Sequence, residues 1–185
     1  MIQAALTVGS AEFWVLVILA VIVGGYLWYL ERKTHASKAD TLLSTYQTLT
    51  QEQIAALSDE ELLPAVIANV MAKQDKKRPD PYFDLPLLSP ERASVYRAWL
   101  VCREAETGNF AKLFASKTRL LTEAATEDFA LIGANECSEA LKTALAAEEG
   151  VPETAEESFA TARQAEQPLS LLVDYIRDNA EAFAD

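Results

Sequence analysis

Apolar residues follow two patterns along the chain, one near its start and another over the remainder. Residues 13–30 read FWVLVILAVIVGGYLWYL and carry no charge. As a helix this stretch would rise about 27 Å at ~1.5 Å per residue, close to the thickness of the hydrocarbon core of a membrane. Aromatic residues lie at both of its ends, which is typical of rings at a bilayer interface. The pattern predicts a transmembrane anchor over residues 1–32, with the span at residues 13–30.

A cleaved signal peptide and a buried core helix are the alternatives for this stretch. A signal peptide carries positive charge before its apolar region and small residues at its cleavage site. Neither lysine nor arginine precedes residue 13, and the stretch ends in YLWYL. A core helix would show a polar stripe, which this stretch lacks. The transmembrane interpretation is therefore favoured.

Charge on either side of the span predicts its orientation. Arg32, Lys33 and Lys38 follow the span, whereas Glu12 precedes it. The cytoplasmic flank of a membrane span carries the excess of lysine and arginine. We therefore expect the long C-terminal part of the chain to lie in the cytoplasm.

The rest of the chain has the periodicity of helices. No window alternates apolar and polar residues for long, and the hairpin signals Asn-Gly and Asp-Gly do not occur. The predicted fold class is all-α, with a single N-terminal transmembrane helix followed by a compact multi-helix domain. Residues 33–57 are predicted to form a juxtamembrane helical linker, and residues 58–185 the domain.

Capping residues and prolines predict where helices begin and end. Residues 39–49 predict a short amphipathic helix, and residues 73–90, with four prolines, predict one long loop. Pro64 predicts a kink or a split in its helix. The predicted helix starts are the capping boxes Ser58–Glu61 and Thr154–Glu157, the pair Ser89-Pro90, and Pro168 before the final helix.

The stretch EAETGNFAKLF, residues 104–114, predicts a tight corner between two helices. Glu104 and the glutamate two residues later diverge by roughly 200° on a helix, so they cannot act as a general acid and base on one substrate. Gly108 and the asparagine after it tolerate left-handed backbone and end helices. Phe110 and Phe114, one turn apart, would give the next short helix an apolar face. A structural role is favoured over catalysis here.

The same corner resembles the signature of the DNA mimic protein family, which consists of small, acidic, helical bacterial domains. Glu104, Gly108, Phe110 and Phe114 match the family pattern. The stretches FALIGANECSEALKTAL and LLVDYIRDNAEAF are similar to later helices of the family, so the likeness covers roughly residues 58–185 in order. The positions that depart from the corner pattern are Thr107, Asn109, Lys112, Leu113 and Ser116.

Acidic residues are concentrated in the final third of the chain. Residues 36–119 hold 11 basic and 11 acidic residues, whereas residues 120–185 hold 3 basic and 15 acidic ones. Such an excess can simply keep a domain in solution, or it can attract a basic partner. The family resemblance implies the second role, since the type member presents a DNA-like surface to a DNA-binding transcription factor. The candidate partner-binding acids are Glu148, Glu149, Glu153 and Glu156.

Signals for an enzyme are poor. The only histidine, His35, lies beside the predicted span, and the sequence shows no nucleophile–histidine pair, phosphate loop or zinc-ligand spacing. Cys102 and Cys137 lie in helical patterns without a disulfide framework, as expected in a reducing compartment. No catalytic residue, cofactor or metal is predicted. Direct binding of nucleic acid is disfavoured because an acidic chain repels phosphates.

These observations favour a membrane-anchored acidic module that sequesters or regulates a basic protein, and the family resemblance implies that this partner binds DNA. Two alternatives remain: an immunity-like inhibitor of a toxic enzyme, and a membrane adaptor whose acids only aid solvation. The predicted location is a bacterial inner membrane, crossed once at residues 13–30, with the C-terminal domain in the cytoplasm. A homodimer is also compatible with the sequence.

Overall fold

The computed structural model describes residues 38–74, 88–147 and 153–185, together with positions 14, 17, 18, 21 and 24. The chain divides into two compact units, Met1–Thr41 and Leu42–Asp185. In the first unit the described positions are helical. Among the described residues, no helix has both the length and the apolar character that crossing a membrane requires. The predicted span at residues 13–30 lies mostly outside the described residues and stays a prediction.

All regular structure in the described part of the chain is helical, as the all-α prediction required. Residues 38–45 form a helix. The helices that follow are α1 (Gln51–Ala56), α2 (Asp59–Ala72), α3 (Pro90–Glu106), a 3-10 helix (Phe110–Phe114), α4 (Arg119–Leu131), α5 (Asn135–Leu145), α6 (Glu153–Glu166), α7 (Pro168–Asp178) and α8 (Ala180–Phe183).

Two of the predicted helix starts are confirmed by their hydrogen bonds. At the start of α2, the backbone N–H and the hydroxyl of Ser58 donate to the Glu61 carboxylate at 3.2 and 2.7 Å. At the start of α3, the Ser89 hydroxyl accepts from the backbone N–H of Arg92 at 3.3 Å, and Pro90 occupies the first turn. Both caps satisfy backbone donors that have no partner within the helix.

Other predicted boundaries were wrong. Helix α6 begins at Glu153, so Thr154 lies inside the helix and does not cap it. The Thr154 carbonyl accepts a hydrogen bond from the hydroxyl of Ser158, one turn later, at 2.7 Å. The final helix begins at Pro168, as predicted, but it ends at Asp178, and the separate short helix α8 follows it.

Upstream, helix α2 runs through Pro64 without a split, and the alternative of a kink stays a prediction. The predicted helix over residues 39–49 ends at residue 45, and Leu49 is nevertheless fully buried. Most of the predicted loop at 73–90 lies outside the described residues.

Helix α3 lies at the centre of the second unit. It contacts α2, α4, α6, α7, α8 and the 3-10 helix, and α4, α5 and α6 pack in succession. Because α3 is surrounded, Tyr96, Leu100 and Cys102 are buried in the core. Trp99, on the same helix, is only partly buried.

The Asp185 carboxylate ties together segments that are far apart in sequence. It accepts hydrogen bonds from the Leu49 backbone N–H at 3.0 Å and from the Asn69 amide at 2.8 Å. It also pairs with Lys73 at 2.7 Å and with Arg92 at 2.9 Å. One carboxylate therefore holds the end of the chain against α2, α3 and the segment before α1.

Candidate protein-binding surface

The predicted corner at residues 104–114 is a helix end followed by a 3-10 helix. Gly108 has left-handed backbone, with φ of 71°. The backbone N–H of Asn109 donates to the Glu104 carbonyl at 2.8 Å, and that of Gly108 donates to the Ala105 carbonyl at 3.3 Å. This pair of bonds is the Schellman arrangement, which satisfies the last carbonyls of a helix. These hydrogen bonds end the helix and turn the chain, which is a structural role.

The phenylalanines after the corner belong to an aromatic cluster. Phe110 is fully buried, and its ring centre lies 5.1 Å from that of Phe114 and 5.4 Å from that of Phe159 on α6. Phe129 on α4 lies 5.8 Å from Phe159. Phe114 is only partly buried at the edge of this cluster. The corner thus places a ring from the 3-10 helix between helices α4 and α6.

Glu104 is positioned for structure. Its side chain is 8% exposed, and its carboxylate accepts from the neighbouring Arg103 guanidinium at 2.8 Å. The other glutamate of the segment, Glu106, is 65% exposed and lies 3.8 Å from Arg163. Their different surroundings match the divergence expected from their spacing, and the two carboxylates do not face one substrate.

Of the four candidate partner-binding acids, the structure describes the side chain of one. Glu148 and Glu149 lie outside the described residues. Glu153 is the first residue of α6, but its side chain lies outside the description. Glu156 is described and exposed. Their grouping into one surface therefore stays a prediction.

Several acids of the final third serve the fold. Glu166, at the end of α6, accepts from the backbone N–H groups of Glu136 and Cys137 at 2.8 Å each, and so caps the start of α5. Burial alone would raise the pKa of Glu166, but these hydrogen bonds lower it below its ordinary value. Asp128 is buried, and its two carboxylate oxygens accept from Nε and Nη2 of Arg97 at 2.6 and 2.8 Å. These carboxylates are committed to contacts within the chain.

Other acids of the final third are exposed and make no ion pair within the described part of the chain. An unpaired carboxylate in solvent keeps its charge available to a partner. The acids of this kind are Glu127, Glu136, Glu156, Glu157, Asp174, Asp178 and Glu181.

Two of these unpaired acids line one groove between α5 and α6. Glu136 and Glu157 are part of a depression of about 480 Å³, which hydroxyl and small apolar side chains complete. Glu156 is the neighbour of Glu157 in sequence and is exposed on the same helix. Sequence reasoning missed Glu136 because it lies far from residues 148–156 along the chain, and only the packing of α5 on α6 brings it near Glu157. The described part of this surface is acidic and open to a cationic side chain.

The described residues offer little for catalysis. Cys102 and Cys137 are both buried and free. Burial raises the pKa of the Cys102 thiol to about 12, and burial also raises the pKa of Cys137. Both thiols stay protonated near neutral pH, whereas a cysteine nucleophile needs the thiolate. Among the described residues, no group of His, Cys, Asp and Glu side chains could hold a metal ion.

Comparison with known proteins does not assign a family. No protein-family model matches the chain. No curated protein and no solved structure matches it either. The likeness to the DNA mimic family therefore rests on the sequence pattern alone.

Proposed function

We propose that this chain is a membrane-anchored acidic module that binds a basic, DNA-binding protein and so sequesters or regulates it. The observation that carries the proposal is the division of the acids in the final third. Glu166 and Asp128 are used by the fold, whereas Glu136, Glu156 and Glu157 are exposed on the neighbouring helices α5 and α6 and form no ion pair with any described residue. Unpaired negative charge held on rigid helices accelerates association with a positively charged partner.

The anchor is part of the proposal. The uncharged stretch at residues 13–30 would hold the module at a membrane, and the basic residues that follow would keep it on the cytoplasmic side. At the membrane surface, a bound regulator would be kept away from DNA. The family resemblance supports this choice of partner.

The test begins with capture of the partner by crosslinking in bacterial cells that express the tagged full-length chain. Affinity is then measured for the chain with Glu149→Lys, Glu153→Lys and Glu156→Lys. The matched control reverses three exposed acids on α4, α7 and α8, Glu127→Lys, Asp178→Lys and Glu181→Lys, so the change in net charge is the same.

We expect the first variant to bind at least tenfold more weakly than the control variant, and binding to weaken steeply as salt rises. Equal losses in both variants would mean that only net charge matters. An affinity that changes neither with salt nor with charge reversal would show that the acidic surface does not bind the partner. Capture of a toxic enzyme that the chain inhibits would support the immunity-like alternative, and capture of a membrane complex would support the adaptor.

A further inference from the structure

A second groove in the Leu42–Asp185 unit combines an apolar floor with an acidic rim. It has a volume of about 480 Å³ and lies where α2, α3 and α7 meet. Its apolar lining comes from Leu63 and Pro64 on α2, Trp99 on α3, and Leu169 and Val173 on α7. Volumes of this size are typical of sites that take a ligand or an anchoring side chain.

The floor of this groove is apolar surface that the fold leaves open. Leu63 and Val173 are buried at its base, but Pro64 is exposed, Trp99 is half-buried and Leu169 is 38% exposed. Aromatic and apolar side chains left open between helices are typical of grooves that receive the apolar face of another helix.

The rim of the groove carries only negative charge. Asp59, Glu60 and Asp174 line it, and no basic residue does. Asp59 is paired with Arg177 at 3.0 Å. Glu60 and Asp174 are exposed and form no ion pair in the described part of the chain. Two carboxylates without an ion-pair partner among the described residues therefore line the groove, one on α2 and one on α7.

Two arginines adjoin the groove, but both are bound within the chain. The Arg103 guanidinium lies 4.7 Å from the centre of the Trp99 ring and pairs with Glu104 at 2.8 Å. Arg177 donates to the Ile54 carbonyl at 2.6 Å as well as to Asp59. Their charge is partly neutralised, so the groove favours cations over anions.

We infer that this groove binds a basic amphipathic helix of a partner protein. Leucine-like side chains of that helix would enter the floor beside Trp99, and lysine or arginine side chains would face Glu60 and Asp174. An acidic helix would be repelled by the rim, and a polar basic segment would leave the floor uncovered. The residues that line the groove do not include any of the candidate partner-binding acids, so this inference does not depend on the proposed function.

The test uses the full-length chain in nanodiscs of uncharged lipid and follows the Trp99 indole directly. The chain has three tryptophans, so Trp14→Phe and Trp28→Phe leave Trp99 as the only one. Fluorotryptophan then gives one fluorine resonance, from Trp99. The probe is a leucine–lysine peptide of about four helical turns with apolar residues on one face. The comparison peptides replace lysine by glutamate or leucine by serine, and empty nanodiscs correct for binding to lipid.

We expect the leucine–lysine peptide to shift the Trp99 resonance saturably, and neither comparison peptide to do so. Glu60→Lys with Asp174→Lys should weaken binding by roughly tenfold or more, since two attractions become repulsions. The matched control is Glu181→Lys with Glu127→Lys, which also reverses one acid in a first helical turn and one further along a helix. Leu169→Asn, at an exposed position, should weaken binding while it leaves the rim intact.

Three results would overturn the inference. The first is an unchanged Trp99 resonance while the peptide binds the chain elsewhere. The second is an equal loss in both double reversals, which would reduce the effect to net charge. The third is full binding by the Leu169→Asn variant, which retains the acidic rim and would show that the apolar floor is not used.

Discussion

At the scale of single residues, the Asp185 carboxylate contacts four other residues of the described part of the second unit. Partial burial would raise its pKa, but hydrogen bonds from Lys73, Asn69 and the Leu49 backbone, together with the charge of Arg92, lower it to about 2. The Arg92 Nε and the Asn69 Oδ1 nearby are buried without a hydrogen-bond partner. Such groups are costly to bury, so the contacts to Asp185 must offset that cost.

The lowered pKa of Asp185 predicts a defined acid sensitivity. A folded-state pKa below the unfolded one adds stability above the unfolded value, near 3.8, which is lost as pH falls toward 2. Because solvent screens this partly exposed carboxylate, its contribution should be on the order of 1 kcal/mol. We expect Asp185→Asn to lower the free energy of unfolding of residues 36–185 at pH 7, and to lower it much less near pH 2. Denaturant unfolding at several pH values measures both.

The control for this experiment is Asp178→Asn, an exposed acid on α7 without an ion pair in the described part of the chain. Its unfolding free energy should follow that of the unchanged fragment at every pH. If Asp185→Asn behaves in the same way, the Asp185 contacts do not stabilise the folded state.

At the scale of elements, the corner between α3 and α4 joins backbone geometry to core packing. The left-handed backbone of Gly108 allows the hydrogen bonds that end α3. The turn then brings Phe110 into contact with the rings of Phe114 and Phe159. A Cβ at residue 108 would meet no atom within 4 Å, so glycine is required there by its left-handed backbone and not by lack of space.

The corner predicts unequal effects for its two phenylalanines. Phe110→Ala should cost about 3–5 kcal/mol of unfolding free energy, the range for a fully buried ring. Phe114→Ala should cost less than half as much because Phe114 is partly buried. Thermal and denaturant unfolding of residues 36–185 would measure both, with Glu104→Gln as a control that should still unfold cooperatively. Small and equal losses at both phenylalanines would identify the segment as an exposed recognition loop.

Local signals explain which elements could be predicted from sequence. Ser58 with Glu61, and Ser89 before Pro90, cap their own helices, so their spacing in the sequence was sufficient. Helix α5 follows Ala134, which cannot cap it, and Glu166 supplies the cap from another helix. That contact depends on how α5 and α6 pack, which no local pattern records.

The same reason limits prediction of the candidate surface. The composition shows that the final third has an excess of acids. It does not show which of these acids are buried in structural contacts and which are exposed. Asp128 and Glu157 look alike in sequence, yet Asp128 is buried against Arg97 and Glu157 is exposed. A carboxylate has a structural role when a residue of a distant helix pairs with it, as Arg97 does with Asp128.

At the scale of the whole molecule, the proposed function requires the acidic domain and its basic partner to share a compartment. The predicted span at residues 13–30 and the basic cluster Arg32, Lys33 and Lys38 would place the C-terminal domain in the cytoplasm. A DNA-binding regulator would meet the domain only on that side. Topology is therefore a condition for the proposal, and it can be tested without knowing the partner.

We expect a reporter that is active only in the cytoplasm to be active when joined after Asp185. The join should be a flexible linker rich in glycine and serine, because the Asp185 carboxylate is bound by Lys73 and Arg92 and a rigid fusion could displace it. The matched variant Arg32→Glu, Lys33→Glu and Lys38→Glu removes the basic flank and should lower reporter activity, since flanking charge sets the orientation. External protease should leave the domain intact in cells that express the unchanged chain. Digestion of the domain from outside intact cells, with an inactive reporter, would reverse the predicted orientation and exclude a cytoplasmic DNA-binding partner.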